Sequence, residues 1–195
     1  MVKNLLKACF MMAALTAAGQ AAAETYTVGS GGTYRPFEFE NSQKQLEGFD
    51  IDIIKAIAKA EGFDVKLVNT PWEGIFATLN TGDRDIIISG ITITDKRKQM
   101  VDFSAPYFPA EQSIVVAQDS KVDSLAALKN EKVGVVNSST GDIVVSEVLG
   151  KNSTAIKRFD NTPLMLQELF EDGVSAAVGD VGEVKSYIKQ HTEKQ

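Results

Sequence analysis

The stretch Asp85-Ile-Ile-Ile-Ser-Gly-Ile-Thr-Ile-Thr-Asp-Lys-Arg97 constrains the fold more than any other part of the sequence. Its apolar start is typical of a buried β-strand, and the small and hydroxylated residues that follow indicate a loop at the end of that strand. Thr94 is placed to cap a short helix, although a capping box would have Glu or Gln at position 97. A cation in the first turn opposes the helix dipole at a cost of about 0.3–1 kcal/mol. Arg97 therefore either lies on a solvated turn or uses its planar guanidinium group to bind a carboxylate.

Strand and helix patterns alternate on both sides of this stretch. Helical segments carry apolar residues at a 3.6-residue period, as at Ile53, Ile54 and Ile57, and strand segments are short apolar runs between turn residues. Such alternation indicates a parallel, doubly wound sheet, and it occurs twice, so we expect an α/β protein with two lobes. The expected strands are 26–29, 65–68, 85–88, 112–117, 132–136, 155–159 and 175–178, and the expected helices are 50–60, 73–79, 142–149, 163–171 and 184–190.

The amino-terminal residues have the features of a secretory signal peptide. Lys3 and Lys7 form a basic region, residues 8–18 are mostly apolar, and Ala21-Ala-Ala23 fits a cleavage site. The apolar run is shorter than the ~20 residues that span a bilayer. We therefore expect residues 1–23 to be removed and the mature protein to be periplasmic, without the single cysteine, Cys9.

The charge of the chain argues against two classes of partner. The formal net charge is -6, and there is no long basic run. Nucleic acids and anionic membrane surfaces are bound by basic patches, so we expect neither as a partner. The sequence also contains no phosphate-binding loop, no metal-ligand cluster and no Ser-His-Asp set, and its single histidine is His191. We expect no cofactor and no metal.

Further short motifs follow one another along the chain. They are Thr33-Tyr-Arg-Pro-Phe-Glu-Phe39, Gly48-Phe-Asp-Ile-Asp52, Trp72-Glu-Gly-Ile75, Asp102-Phe-Ser-Ala-Pro-Tyr107 and Gly179-Asp180. Together with residues 89–97, this ordered set resembles family 3 of the periplasmic solute-binding proteins, which serve ABC transporters for polar amino acids. The resemblance implies a periplasmic binding protein-like fold of type II. It also implies a monomer that captures a polar L-amino acid in a cleft between its lobes and delivers it to a membrane-embedded ABC permease.

The resemblance also implies domain boundaries. Lobe 1 is expected over residues 24–112, a hinge strand that crosses between the lobes over 113–117, and lobe 2 over 118–195. In the family a second crossing strand returns to lobe 1. No such return is evident before Gln195, so we expect the chain to be short at its C-terminus.

One pole of the ligand is the α-carboxylate, and the resemblance assigns it to Arg97. Thr92 is implied to assist, together with Thr140 and Gly141, which begin a helix whose free N–H groups favour an anion. Taken without the resemblance, Thr140 and Gly141 fit ordinary capping and turn chemistry.

The other pole is the α-ammonium, which the resemblance assigns to Asp180. Ser89, Gly90 and Thr92 are implied to contribute hydroxyl or carbonyl oxygens. The alternative for Asp180 is that it caps the helix that follows. Because Arg97 belongs to lobe 1 and Asp180 to lobe 2, the resemblance makes closure of the lobes depend on the ligand.

The ligand side chain is implied to lie between Tyr34 and Trp72, which we expect in loops at the edge of the cleft. Three positions bear on specificity. Gly31 stands where glutamine- and basic-amino-acid-binding relatives often have an acid, and Asn137 stands where some glutamine binders have lysine. Glu38 either supplies a charge or faces solvent. Glutamine-like and basic ligands both remain open.

Two other functions fit the same fold. One is a sensor or receptor module, which would be joined to a transmembrane segment. The other is a cyclohexadienyl dehydratase-like enzyme, which needs a general acid in the cleft. Glu73 is the least implausible candidate for that acid, and we expect the protein not to be an enzyme.

Overall fold

A computed structural model describes residues 23–191, so the expected signal peptide lies outside the described residues except for Ala23. In chain order the strands are β1 (Thr25–Ser30), β2 (Thr33–Tyr34), β3 (Glu38–Glu40), β4 (Leu46–Glu47), β5 (Asp64–Asn69), β6 (Ile86–Ile87), β7 (Gln112–Val116), β8 (Val133–Val136), β9 (Ile156–Phe159) and β10 (Ala176–Asp180). The helices are α1 (Phe49–Glu61), α2 (Ile75–Asn80), α3 (Asp95–Lys98), α4 (Thr140–Leu149), α5 (Thr162–Phe170) and α6 (Val181–Gln190), and a 3₁₀ turn spans Ala126–Asn130.

The first lobe, which we define as β1–β6 with α1–α3, is built on a parallel sheet in the order β5-β1-β6. Val28 lies at the centre of β1 and is fully buried. Helix α1 turns Ile51, Ile54 and Ala58 inward, as its 3.6-residue pattern predicts, and ends at Gly62 in the left-handed conformation. The sequence-based strands and helices of this half are thus present, with β6 reduced to two residues.

A small antiparallel sheet of β2, β3 and β4 extends the first lobe. The sequence analysis did not predict it, because strands of two or three residues carry too little alternation to be recognised. Tyr34 therefore lies on a short strand, and its expected loop position is wrong.

The second lobe, defined as β7–β10 with α4–α6, is built on a sheet in the order β7-β10-β8-β9. Alternate residues of its central strand face opposite sides, as in any β-strand. Val178 and Ala176 pack with Val145 of α4, whereas Ala177 packs on the other side with Met165 of α5. Helices therefore cover both faces, as in a doubly wound α/β lobe.

Strand β7 is the expected hinge segment. In the structure it pairs antiparallel with β10, from Gln112 opposite Asp180 to Val116 opposite Ala176, and so forms an edge of the second sheet. Its role as a crossing strand between lobes stays a prediction. Helix α6 begins at Val181 rather than at residue 184, since β10 passes directly into it without a loop.

The loop before α4 is fixed by side-chain hydrogen bonds. Ser139 caps the helix by accepting a bond from the Asp142 N–H at 3.1 Å, and the Ser138 N–H donates to the Asp142 carboxylate at 3.0 Å. Arg158 donates to both oxygens of Asp142 from β9 at 2.9–3.1 Å. Burial alone would raise the pKa of Asp142, but the bonds from Arg158, Ser138 and Ser146 hold this pKa below its ordinary value.

We expect Asp142→Asn to lower the free energy of unfolding by about 1–3 kcal/mol, because it leaves donors of this buried network without their carboxylate. The lowered pKa means that the ionised carboxylate stabilises the folded state above the unfolded pKa of about 3.9, and that this contribution is lost as pH falls through the folded pKa. Urea unfolding between neutral and acidic pH measures both effects. Asp95→Asn is the control, since that side chain is fully exposed. Equal stability of the two variants would contradict the prediction.

Candidate functional site

A cavity of about 360 Å³ lies between the two lobes, at the carboxyl ends of strands from both sheets. This volume falls within the range of small-molecule sites, and the position follows the rule for open α/β sheets. Asn137 and Gly141 were predicted site residues but do not line the cavity. The predicted residues that do line it are Tyr34, Trp72, Ser89, Gly90, Thr92, Arg97, Thr140 and Asp180.

Arg97 is buried, with only 6% of its surface exposed, so it does not lie on a solvated turn. Thr94 caps α3 as predicted, accepting a hydrogen bond from the Arg97 N–H at 3.2 Å. The guanidinium group donates to the main-chain carbonyl of Thr92 at 2.9 Å and to that of Ser138 at 3.3 Å. Burial lowers the pKa of Arg97, and the negative charge of Asp180 opposes that shift. The site therefore contains a desolvated cation.

Asp180 lies at the end of β10 and at the N-cap position of α6, yet its side chain makes no capping hydrogen bond. Instead it accepts a bond from the Tyr34 hydroxyl at 2.6 Å and another from the Gln112 side-chain amide. The capping alternative for this side chain is therefore wrong. Asp180 presents its carboxylate to the cavity instead.

Gln112 is a site residue that sequence reasoning missed. Its amide nitrogen donates to Asp180 and, at 3.0 Å, to the Thr140 hydroxyl, while its buried Oε1 has no partner within residues 23–191. A single glutamine at the start of an apolar strand carries no distinctive signal. Only the pairing of β7 with β10 brings it to the cavity.

The aromatic residues of the cavity make contacts both within the first lobe and across to the second. The Tyr34 ring stacks on Phe37 at 5.3 Å between centroids. Trp72 donates its indole N–H to the main-chain carbonyl of Asn137 at 2.9 Å, and the Arg97 guanidinium carbon lies 5.2 Å from its ring centroid. Asn137 thus contributes a carbonyl to the lobe contact, and its predicted role in ligand binding stays a prediction. Gly141 stands in the first turn of α4, where a Cβ would approach the Val178 carbonyl oxygen to 2.7 Å.

Glu38 faces the protein interior and not solvent. It is only 2% exposed and accepts hydrogen bonds from the hydroxyls of Ser89 and Ser30 and from the Gly31 N–H. A Cβ at position 31 would lie 2.7 Å from Oε1 of Glu38, which accounts for glycine there. The acid of this part of the site is therefore at position 38.

The cavity wall is rich in carboxyl groups. Among its described lining residues, Arg97 is the only Lys or Arg. Glu183 is 4% exposed and accepts a bond from Thr162 at 2.5 Å, and burial raises its pKa well above the ordinary value. The acidic lining residues are Glu38, Glu40, Glu73, Asp160, Asp180 and Glu183.

Two α/β lobes with a polar cavity between the ends of their strands define a two-lobed ligand-binding protein. The chain belongs to the bacterial extracellular solute-binding proteins, family 3, whose family model matches residues 26–185. The resemblance drawn from the sequence motifs and the type II fold are thereby confirmed.

Similar proteins have names that refer to amino acids. A "Probable histidine-binding protein" of Neisseria gonorrhoeae is 43% identical over 172 residues, which are 88% of this chain and 64% of that relative. The solved structure of an ancestral arginine-binding protein bound to arginine is 40% identical with a TM-score of 0.82, over 87% of this chain and 76% of that one. An ancestral amino acid-binding protein described as a precursor of cyclohexadienyl dehydratase is 39% identical with a TM-score of 0.79, over 85% and 74% of the two chains.

Two features are absent from residues 23–191. None of the described helices combines the length and the apolar composition needed to cross a membrane. The described residues also contain no group of three or more His, Cys, Asp or Glu side chains arranged to hold a metal ion.

Gly90 provides a test of how tightly the cavity wall is packed. Its φ of +53° is strained for other residues, and a Cβ there would lie 2.5 Å from the Tyr34 ring. We expect Gly90→Ala to lower the free energy of unfolding by about 1–2 kcal/mol from backbone strain and by a further 1–3 kcal/mol from overpacking.

The matched control is Gly82→Ala. Gly82 has a φ of +75°, but a Cβ there would meet nothing within 4 Å, so only the backbone term applies. Urea unfolding of both variants isolates the contact with Tyr34. Equal losses would show that Tyr34 does not pack on Gly90.

Proposed function

We propose that this protein binds an L-amino acid with a cationic side chain in the cavity between its lobes and delivers it to an ABC permease. The observation that carries the proposal is the placement of Arg97 and Asp180. They have opposite charges, belong to different lobes and line the same cavity. A zwitterionic amino acid has the complementary pair of charges.

Each pole would be bound by chemistry suited to it. The guanidinium of Arg97 can bind the α-carboxylate in a bidentate manner, and the N–H groups at the start of α4, next to Thr140, favour the same anion. Asp180 and the oxygens around Ser89 and Thr92 can accept hydrogen bonds from the α-ammonium. Because the two poles belong to different lobes, the bound ligand would bridge them and stabilise the closed arrangement.

The acidic lining supports a cationic ligand side chain over a neutral one. Burial raises the pKa values of Glu38 and Glu183, so the argument rests on the other acidic lining residues, which are Glu40, Glu73, Asp160 and Asp180. A cation facing these carboxyl groups in a partly desolvated cavity gains electrostatic energy that glutamine cannot. Trp72 and Tyr34 would add dispersion and cation–π contacts. The relatives named for histidine and arginine agree with this choice.

We also propose that the ligand leaves chemically unchanged, from a protein exported to the periplasm. The similar proteins reported above are named for binding, although one is described as the precursor of a dehydratase. Glu73 lines the cavity and remains the residue to examine if turnover is found. Incubation with a cyclic carboxylic acid of the prephenate type, followed by NMR, tests that alternative.

The proposed function predicts that Arg97→Lys loses most of the affinity, since lysine keeps the charge but not the planar fork. Arg97→Ala should lose more, because truncating one partner of a buried charge pair typically costs about 2–5 kcal/mol. Isothermal titration calorimetry with L-arginine, L-histidine and L-glutamine measures both variants against the wild type.

Arg84→Lys is the matched control, since Arg84 donates to Thr70 and to the Asp83 carbonyl but does not line the cavity. Near-normal affinity of Arg97→Ala would rule out the carboxylate-binding role. Preference for glutamine over both basic amino acids would rule out the cationic side chain while leaving amino-acid binding in place.

A further inference from the structure

Two buried carboxyl groups support the cavity wall of the first lobe, and Glu38 is itself one of the lining residues. Glu38 of β3 is 2% exposed and Asp50 of α1 is fully buried. Oε1 of Glu38 accepts bonds from the Ser89 hydroxyl and, at 3.2 Å, from the Gly31 N–H. Oδ2 of Asp50 accepts a bond from the Gly90 N–H at 2.6 Å. The pair therefore accepts hydrogen bonds from two adjacent residues of the wall, Ser89 and Gly90.

The surroundings do not provide a counter-charge for this pair. Within residues 23–191 neither carboxyl group makes an ion pair or a hydrogen bond with Lys or Arg, and Oδ1 of Asp50 is buried with no hydrogen-bond partner. Two further titratable groups face the pair: the Tyr107 hydroxyl, which interacts with Asp50 as a hydrogen-bond donor, and the Tyr34 hydroxyl, which lies near Glu38. The buried Oδ1 of Asp50 is an acceptor without a donor, and a second carboxyl group, that of Glu38, lies next to it. A proton on Glu38 satisfies this acceptor most simply.

We propose that Glu38 and Asp50 share a single proton, which Glu38 donates to Asp50, and that the pair positions Ser89 and Gly90 for ligand binding. Oε1 of Glu38 accepts two hydrogen bonds, whereas Oε2 accepts one, from the Ser30 hydroxyl at 3.2 Å, so the proton is assigned to Oε2. The part of the inference that concerns ligand affinity rests on the proposed function.

The hydrogen bond to Glu38 has a consequence for Ser89. Its hydroxyl donates to Glu38 and accepts a bond from the Gly31 N–H at 3.2 Å. The proton of the hydroxyl is thus committed to Glu38, and Ser89, which lines the cavity, can offer a ligand only its remaining lone pair. Ser89 is thereby set to receive a ligand N–H and to disfavour a ligand acceptor.

The pKa directions agree with this arrangement. Burial raises the pKa of Glu38 well above its ordinary value, and Asp50 raises it further, against the hydrogen bonds from Ser89 and Ser30. Burial also raises the pKa of Asp50, against the bonds from Gly90, Glu38 and Tyr107. The folded state therefore keeps a proton on Glu38 that the unfolded chain loses near pH ~4.3, so this group makes stability fall as pH rises from that value towards the raised pKa.

A double-mutant cycle tests the pair. In Glu38→Gln the amide N–H of the new side chain replaces the shared proton and donates to Asp50. In Asp50→Asn the direction is reversed, and the new amide N–H donates to an ionised Glu38. Each single variant therefore keeps one donor and one acceptor between the two side chains. The double variant forces a donor against a donor, because the amide introduced at position 50 must turn its only oxygen towards the Gly90 N–H. We expect each single variant to change the folding equilibrium constant little. We expect the double variant to lower it by about 5- to 150-fold more than the two single effects combined.

Urea unfolding measures the free energy of unfolding of the four proteins in the cycle, and calorimetry measures their affinity for L-arginine. The control cycle is Glu61→Gln with Asp52→Asn, both exposed, which should be additive. Wild-type affinity should fall as the pH rises through the raised pKa of Glu38, and this step should be absent from the profile of Glu38→Gln, which keeps only the titration of the ligand's own ammonium group. Additive losses in the Glu38–Asp50 cycle, or a pH profile that Glu38→Gln leaves unchanged, would overturn the proposal.

A measurement on the unmutated protein gives an independent answer. Carboxyl ¹³C NMR should show a Glu38 carboxyl that stays protonated after exposed glutamates have ionised. Its signal is assigned by its loss in Glu38→Gln, since burial also raises the pKa of Glu183. Ionisation of Glu38 together with the exposed glutamates would refute the shared proton. If the wild type bound no amino acid, the proposed function would fail, but the NMR and unfolding experiments would still decide whether the proton is shared.

Discussion

The buried guanidinium group of Arg97 is the constraint on which the arrangement of the two lobes depends. A cation removed from water costs several kcal/mol unless nearby groups stabilise it. Here the stabilising oxygens come from both lobes, with the Thr92 carbonyl on one side and the Ser138 carbonyl on the other. The Trp72 ring and the negative charge of Asp180 add to them. The charge therefore couples the lobes, since separating them would remove part of its solvation.

In each lobe, a buried carboxyl group accepts a hydrogen bond from a main-chain N–H of a loop beside the cavity. In the second lobe, Asp142 accepts a bond from the Ser138 N–H and is balanced by Arg158. In the first lobe, Asp50 accepts a bond from the Gly90 N–H, and no basic side chain contacts it among the described residues. A buried carboxylate needs either a cation or a proton nearby. In the second lobe Arg158 is the cation, and in the first lobe the proposed shared proton would take that role.

Much of the fold could be predicted from the sequence because its signals are local. A 3.6-residue period, a capping threonine three residues before Arg97 and glycines that end helices all act within one turn of chain. Helix α1, strands β8 and β9 and the cap at Thr94 therefore lie where the pattern places them. The order of the site motifs indicated the family, and most of the residues selected from it line one cavity.

The remaining features were decided by contacts between distant parts of the chain. Glu38 is buried by Ser89, 51 residues away, and Gln112 reaches Asp180 across 68 residues. Neither residue carries a local signal, since an exposed and a buried glutamate look alike in a short polar strand. The pairing of β7 with β10 also depends on long-range hydrogen bonds, whereas the small sheet of β2–β4 joins nearby segments whose strands are too short to be recognised. The sequence alone thus determined most of the helices and strands and indicated the charged pair Arg97 and Asp180. Tertiary packing decided which carboxyl groups are desolvated, because desolvation depends on every segment that surrounds a group.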